Sequence, residues 1–129
     1  KEQQMGDVAR RLKNLAKDLD IWIIALSQLN RDNLNPVPTL ARLRDSGQIA
    51  EAADVVILIY RPEVKDKPYP DEFKNVSTKG TAMIDIAKGR NIGLLKFICG
   101  FDALTTRFYD LDYVPIGNMN ESIQEEQPF

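Results

Sequence analysis

Three short polar clusters in the 129-residue sequence hold side chains whose types and spacing suit phosphate chemistry. In Lys88-Gly89-Arg90-Asn91-Ile92-Gly93, two cations stand two residues apart. At that interval on an extended segment they point the same way. Arginine's planar fork matches phosphate oxygens, and lysine adds a compact point charge. In Ser27-Gln28-Leu29-Asn30-Arg31, Gln28 carries an uncharged amide that can hydrogen-bond a γ-phosphate and report its loss. In Arg44-Asp45-Ser46-Gly47, a loop leads into a short predicted helix. Backbone N–H groups at a helix start attract phosphate, and Gly47 lets another backbone approach closely. Each cluster also has a plainer reading. The cations can be a solvated hairpin tip, Gln28 a strand cap, and Asp45 or Ser46 an N-cap.

Composition removes several chemistries. There is no histidine, which excludes Ser-His-Asp and Cys-His catalysis and His-ligated metals. The one cysteine, Cys99, allows neither an internal disulfide nor a CxxC motif, and reads as an inert buried thiol in a reducing compartment. The apolar runs are far shorter than the roughly 20 residues of a membrane span, and no secretory leader opens the sequence, so a cytoplasmic chain without membrane contact is expected. Net charge is −2, but five acids and no Lys or Arg lie from Phe108 onward. Residues 1–107 carry 17 basic and 14 acidic side chains, a net +3, which permits phosphate binding without demanding it.

The elements that must position these clusters follow from hydrophobic periodicity. Met5, Val8, Leu12, Leu15, Ala16 and Leu19 recur at helical spacing and predict an amphipathic helix over residues 3–19. Ile21 to Leu26 and Asp54 to Tyr60 are continuous, β-branched runs. They predict strands buried on both faces, as in a parallel sheet under helices, with Trp22 in the core. Leu40 to Leu43 predicts a helical turn and Gln48 to Ala53 a short helix. Residues 62–80, with Pro62, Pro68, Pro70 and Gly80, predict a long mobile loop. Thr81 to Ala87 and Leu94 to Cys99 predict a hairpin turning at residues 88–93, and Arg107 to Tyr109 a last strand. Arg61, after a strand, can approach a nucleotide or pair with an acid. Asp85 interrupts an apolar strand and is expected to face solvent. Tyr109 and Tyr113 could stack on a base.

Four strings occur in order: Ala25-Leu26-Ser27-Gln28-Leu29-Asn30-Arg31, Leu43-Arg44-Asp45-Ser46-Gly47-Gln48-Ile49, Ala53-Asp54-Val55-Val56-Ile57-Leu58-Ile59-Tyr60-Arg61 and Ile86-Ala87-Lys88-Gly89-Arg90-Asn91. Together they resemble the C-terminal, RecA-like motor domain of bacterial replicative DNA helicases of the DnaB family, over about residues 3–101. The resemblance implies an α/β fold of the P-loop NTPase type: a partial RecA-like sheet of parallel strands with an antiparallel C-terminal hairpin. It implies a homo-hexameric ring that hydrolyses ATP with Mg²⁺, moves on single-stranded DNA and unwinds duplex, with a primase and a helicase loader as possible partners. Gln28 is similar to the family's γ-phosphate sensor. Lys88 and Arg90 are similar to its accessory lysine and arginine finger, which reach a neighbour's nucleotide. Arg44, Asp45 and Gly47 fall on its DNA-binding loop.

The sequence also departs from the family. It has no G-x-x-x-x-G-K-[ST] phosphate loop, and no glycine is followed by lysine. The acidic Walker B strand is missing too. Residues 1–113 therefore read as the C-terminal part of a motor domain, inactive in isolation, and 114–129 as a flexible acidic tail. Where the family has R-N-G, Ile92 separates Asn91 from Gly93. Two rival readings remain: a non-hydrolysing RecA-like binding or regulatory module, and another RecA-family ATPase.

Overall fold

The computed structural model describes residues 2–29, 34–43 and 47–111. These described residues fall into two compact units, one drawn from residues 2–60 and 83–97, the other from 61–82 and 98–111.

The first unit opens with α1 (Glu2–Leu19). It ends in a paired C-terminal lock: Ile21 N–H donates to Ala16 C=O at 3.0 Å and Asp20 N–H to Lys17 C=O at 3.3 Å. Asp20 takes the left-handed conformation this closure needs, φ 53°. Only part of the expected apolar stripe is buried. Gly6, Ala9, Leu12, Lys13 and Ala16 are the more covered positions, whereas Met5, Val8, Leu15 and Leu19 stay exposed.

Residues 21–28 correct the expected buried strand. They form no ladder, and Trp22, Ile24 and Leu26 are 99%, 89% and 95% exposed. Composition gives such a segment a preference for extended backbone, but a strand also needs a neighbour for its N–H and C=O groups. Among the described residues none pairs with 21–28.

The chain regains order at an antiparallel bridge between Leu29 and Leu43. A 3₁₀ turn, Leu40–Arg42, precedes Leu43. Arg42 fastens the preceding loop, one guanidinium nitrogen donating to the carbonyls of Asn35, Pro36 and Val37 at 3.2, 2.9 and 3.1 Å. Then come α2 (Gly47–Ala52) and β1 (Val55–Tyr60).

Along β1, Val56, Leu58 and Tyr60 are buried while Val55, Ile57 and Ile59 are exposed. This second correction has a simple cause: β1 pairs antiparallel with β2 (Thr81–Gly89), and a sheet covered on one face alternates. Leu43, Val56 and Leu58 form the core of the unit, with Leu29, Leu40, Ala50, Ala53 and Ala87 packed against it.

β3 (Leu95–Asp102) and β4 (Arg107–Tyr109) complete a sheet of order β1-β2-β3-β4. β3 and β4 pair antiparallel. Residues 90–94 leave room only for an antiparallel return from β2 to β3. The expected parallel, RecA-like arrangement is thus not what the described strands form.

In the second unit, residues 61–82 are built rather than loose. Two 3₁₀ turns, Pro62–Lys65 and Asp71–Phe73, carry them. Tyr69 is buried, and its hydroxyl donates to Thr81 Oγ1 at 2.7 Å, which donates in turn to the Ser77 carbonyl. Glu63 accepts from Gly80 N–H at 3.0 Å. Phe101 packs on Phe108 with ring centres 4.8 Å apart.

Cys99 is buried, with its thiol 3.6 Å from the Ala82 carbonyl oxygen. Burial, helped by the charge of Asp110, pushes its pKa up. The neutral thiol therefore favours the folded state, an advantage lost only as pH rises through the folded pKa. Iodoacetamide at pH 8 should label Cys99 at least about tenfold more slowly in native protein than in denaturant. Equal rates would place the thiol outside the core.

Candidate functional site

The candidate residues the structure describes, Gln28, Gly47, Lys88 and Arg90, all belong to the first unit. Its core explains their placement. Leu29, which follows Gln28, Leu43, which precedes Arg44, and Ala87, which precedes Lys88, all pack in one hydrophobic cluster. Three segments distant in sequence are thereby anchored beside their polar clusters.

The hairpin end is the best-defined part. Opposite strand positions run Val56↔Lys88 and then Ile57↔Ile86, so Ala87 is the extra residue of a β-bulge. Residues directly opposite in an antiparallel pair share a face. Lys88 therefore lies on the face of buried Val56, the face α2 covers. Its ammonium donates to the carbonyls of Ala50 and Glu51 at 2.6 and 3.1 Å. These are among the last carbonyls of α2, where a cation satisfies orphan acceptors and meets the negative end of the helix.

Arg90 begins the turn. Its N–H donates to the Asp54 carbonyl at 2.9 Å, and its Nη1 lies 3.0 Å from Asp54 Oδ1. The same Oδ1 pairs with Lys13 Nζ of α1. The hydrogen bond from Lys13, with the charges of Lys13, Arg90 and Lys17, holds the Asp54 carboxyl below its ordinary pKa against the opposing desolvation. Lys88, the penultimate residue of β2, and Arg90, in the turn that follows, thus both reach the junction of α2 and β1.

The inserted Ile92 is accommodated by the glycines flanking the turn. A Cβ at position 89 would come within 2.5 Å of the Ile92 side chain and 2.6 Å of the Gly93 carbonyl oxygen. Gly93 itself sits at φ 75°. The longer turn therefore closes, and half of the Arg90 side chain remains open to solvent.

Gln28 ends the unpaired extended segment and is exposed. Gly47 begins α2 with open space where a Cβ would be. Arg44, Asp45 and Ser46 lie outside the described residues, as do Asn30, Arg31 and Tyr113. In the second unit, Arg61 stacks its guanidinium 3.8 Å from the centre of the Phe101 ring. Asp85 is half-buried and stands opposite Leu58. Sequence reasoning passed over Lys13 and Asp54. The available signal was an acid placed directly before an apolar strand. Among the described residues, no three His, Cys, Asp or Glu side chains converge on a metal position, and no helix is long and apolar enough to cross a membrane.

Residues 1–110 match the DnaB-like helicase C-terminal domain. The chain is 36% identical over 114 residues to the replicative DNA helicase DnaB of Leifsonia xyli, covering 86% of this chain and 23% of that protein. It is 38% identical over 111 residues to the replicative DNA helicase DnaB of Pasteurella multocida, covering 84% and 22%. The chain thus spans about a quarter of the length of these curated relatives. Among solved structures, a DnaB-like replicative helicase studied for its interactions with primase superposes with a TM-score of 0.73 at 31% identity, over 86% of this chain and 26% of that one. A second solved structure, of an ATPase domain, gives 0.70 at 30%, over 85% and 37%.

Proposed function

This chain belongs to the DnaB-like helicase C-terminal domain family, and from that premise we propose that it works as the C-terminal part of an ATP-driven, hexameric replicative DNA helicase. The observation that carries the reading is the corner where α2 meets β1. Lys88 and Arg90 converge there on Ala50, Glu51 and Asp54. One small core holds the base of the hairpin and the residues that adjoin the other two clusters in sequence.

In this reading Arg90 is the arginine finger and Lys88 its accessory cation, both serving a nucleotide bound by a neighbouring subunit. Gln28 senses the γ-phosphate. Arg44, Asp45 and Gly47 hold the backbone of single-stranded DNA. The phosphate loop and the Mg²⁺ ligands are supplied by another part of the parent protein. Mg²⁺ would neutralise charge on the phosphates. The residues here add donors to the transferring phosphoryl group, positioned before the reaction begins. Isolated, the chain does not turn over ATP. The exposed segment 21–28 gains its strand neighbours in the parent. A primase is proposed as a partner, by analogy with the solved relative studied for its primase interactions.

The DNA arm has a direct test. In the full-length protein, Arg44→Ala should weaken binding to single-stranded oligonucleotides of unrelated sequence by the same factor, and flatten the salt dependence by about one phosphate contact. Titrations by fluorescence anisotropy at several salt concentrations read both quantities. Loss confined to some sequences would show that the loop reads bases, and an unchanged salt slope would remove Arg44 from the DNA.

A further inference from the structure

Arg90 is held by a carboxylate that has no part in the proposed reaction. Asp54 engages Arg90 twice, its carbonyl oxygen accepting from the backbone N–H at 2.9 Å and its Oδ1 lying 3.0 Å from Nη1. That same Oδ1 accepts from Lys13 Nζ, a better-covered group than either partner. One carboxylate thus joins a cation on α1 to a cation on the hairpin turn.

An exposed ion pair of this kind contributes little to stability. Its effect is geometric. A free arginine side chain samples many rotamers, and ordering one is entropically unfavourable. Here the first contact fixes the Arg90 backbone and the second fixes one corner of its fork. Guanidinium carries five N–H donors in a rigid plane. Among the described residues Nη1 meets Asp54 and the side chain is half-exposed, so Nε and Nη2 stay available as donors.

We propose that Asp54, anchored by Lys13, is the positioning residue for Arg90, holding its guanidinium by one nitrogen so that the remaining donors face the phosphate of a neighbouring subunit's nucleotide. The inference rests on the reading of Arg90 as the finger. Asp54 touches no substrate; it acts through Arg90.

The test uses the full-length ring, with hydrolysis measured in single-turnover mode so that slow variants stay measurable. Asp54→Asn keeps the size of the side chain and removes its charge. It should slow hydrolysis about tenfold to a hundredfold, the usual loss for a displacement of order 1 Å in a catalytic group. ADP affinity should not change. Affinity for ADP with aluminium fluoride, which mimics the transferring phosphoryl group, should fall by a similar factor. Lys13→Met, which releases the anchor and leaves Asp54 intact, should produce a smaller loss of the same kind. In an Arg90→Ala background, neither change should slow hydrolysis further.

Equal losses with and without Arg90 would overturn the proposal, since Asp54 would then be supporting the fold. So would weaker ADP binding. Full activity of Asp54→Asn beside an inactive Arg90→Ala would overturn it too, while leaving the finger intact. Full activity of Arg90→Ala itself would mean the finger reading had failed, and this inference with it.

Discussion

Replacing Arg90 by alanine in the full-length protein should slow nucleotide turnover by about 10³–10⁵, the range observed when an arginine finger supplied in trans is lost. Nucleotide affinity and ring assembly should stay close to wild type. The separation follows from what Arg90 touches. Among the described residues it pairs with exposed Asp54, and it starts a turn whose closure depends on Gly89 and Gly93. Removing the guanidinium therefore leaves the fold of the hairpin in place. Its charge is needed most where negative charge builds on the transferring phosphoryl group, so the loss falls on the transition state. Arg90→Lys should not restore the rate, because an ammonium lacks the planar fork. Steady-state turnover with ADP binding measured alongside reads both quantities. An Arg90→Ala ring with near-normal turnover would remove Arg90 from the reaction.

The largest effect on stability should come from Met83. It is 1% exposed, lies on β2 opposite Tyr60, and is among the largest side chains fully buried in the described chain. Met83→Ala removes several methylene-sized groups from a packed site and leaves a cavity, a change that costs about 2–5 kcal/mol. With a urea m-value of about 1–3 kcal/mol/M, the unfolding midpoint should fall by about 1–2 M. Met83→Leu, which conserves volume, should cost less than about 1.5 kcal/mol. Circular dichroism in urea distinguishes the two. A Met83→Ala protein with an unshifted midpoint would show that this part of the sheet does not limit unfolding.

The readable features were those fixed by neighbours in sequence. The α1 period, the short α2, the hairpin of β2 and β3 around residues 88–93, and β4 at Arg107–Tyr109 all follow from local pattern and turn chemistry, and the structure places their ends within a residue or two, except that β3 runs three residues past Cys99 to Asp102. The features that depend on distant partners were misread. Ile21 to Leu26 has the composition of a buried strand but no strand beside it among the described residues. The two apolar runs look alike in sequence. Only β1 acquired an antiparallel partner among the described residues, and the cluster around Leu43 covers just one face of that pair, leaving Ile57 and Ile59 in solvent. Residues 62–80 read as loose because Pro and Gly mark turns, yet the Tyr69, Thr81 and Ser77 chain that orders them spans twelve positions.

The same distinction applies to the site. The residue types at 28, 88 and 90 suggested phosphate chemistry from the sequence alone. What could not be read was the register. The extra residue Ala87 turns Lys88 toward α2, and Asp54 becomes the anchor of Arg90 because β1 begins where the hairpin ends. Both facts depend on pairing across more than thirty residues, which local periodicity does not encode.

The central claim is that this hairpin serves the nucleotide of a neighbour, and mixed rings test it most directly. Arg90→Ala subunits keep a good phosphate loop. Subunits whose phosphate-loop lysine is replaced keep a good Arg90. Each ring alone should be inactive. Mixed and assayed in single-turnover mode, so that one competent interface suffices for one round of hydrolysis, they should recover activity in proportion to the interfaces that pair a good loop with a good arginine, greatest near equal amounts. If Arg90 acted on its own subunit's nucleotide, no subunit in the mixture would be competent, and hydrolysis as low as in either parent at every ratio would contradict the account.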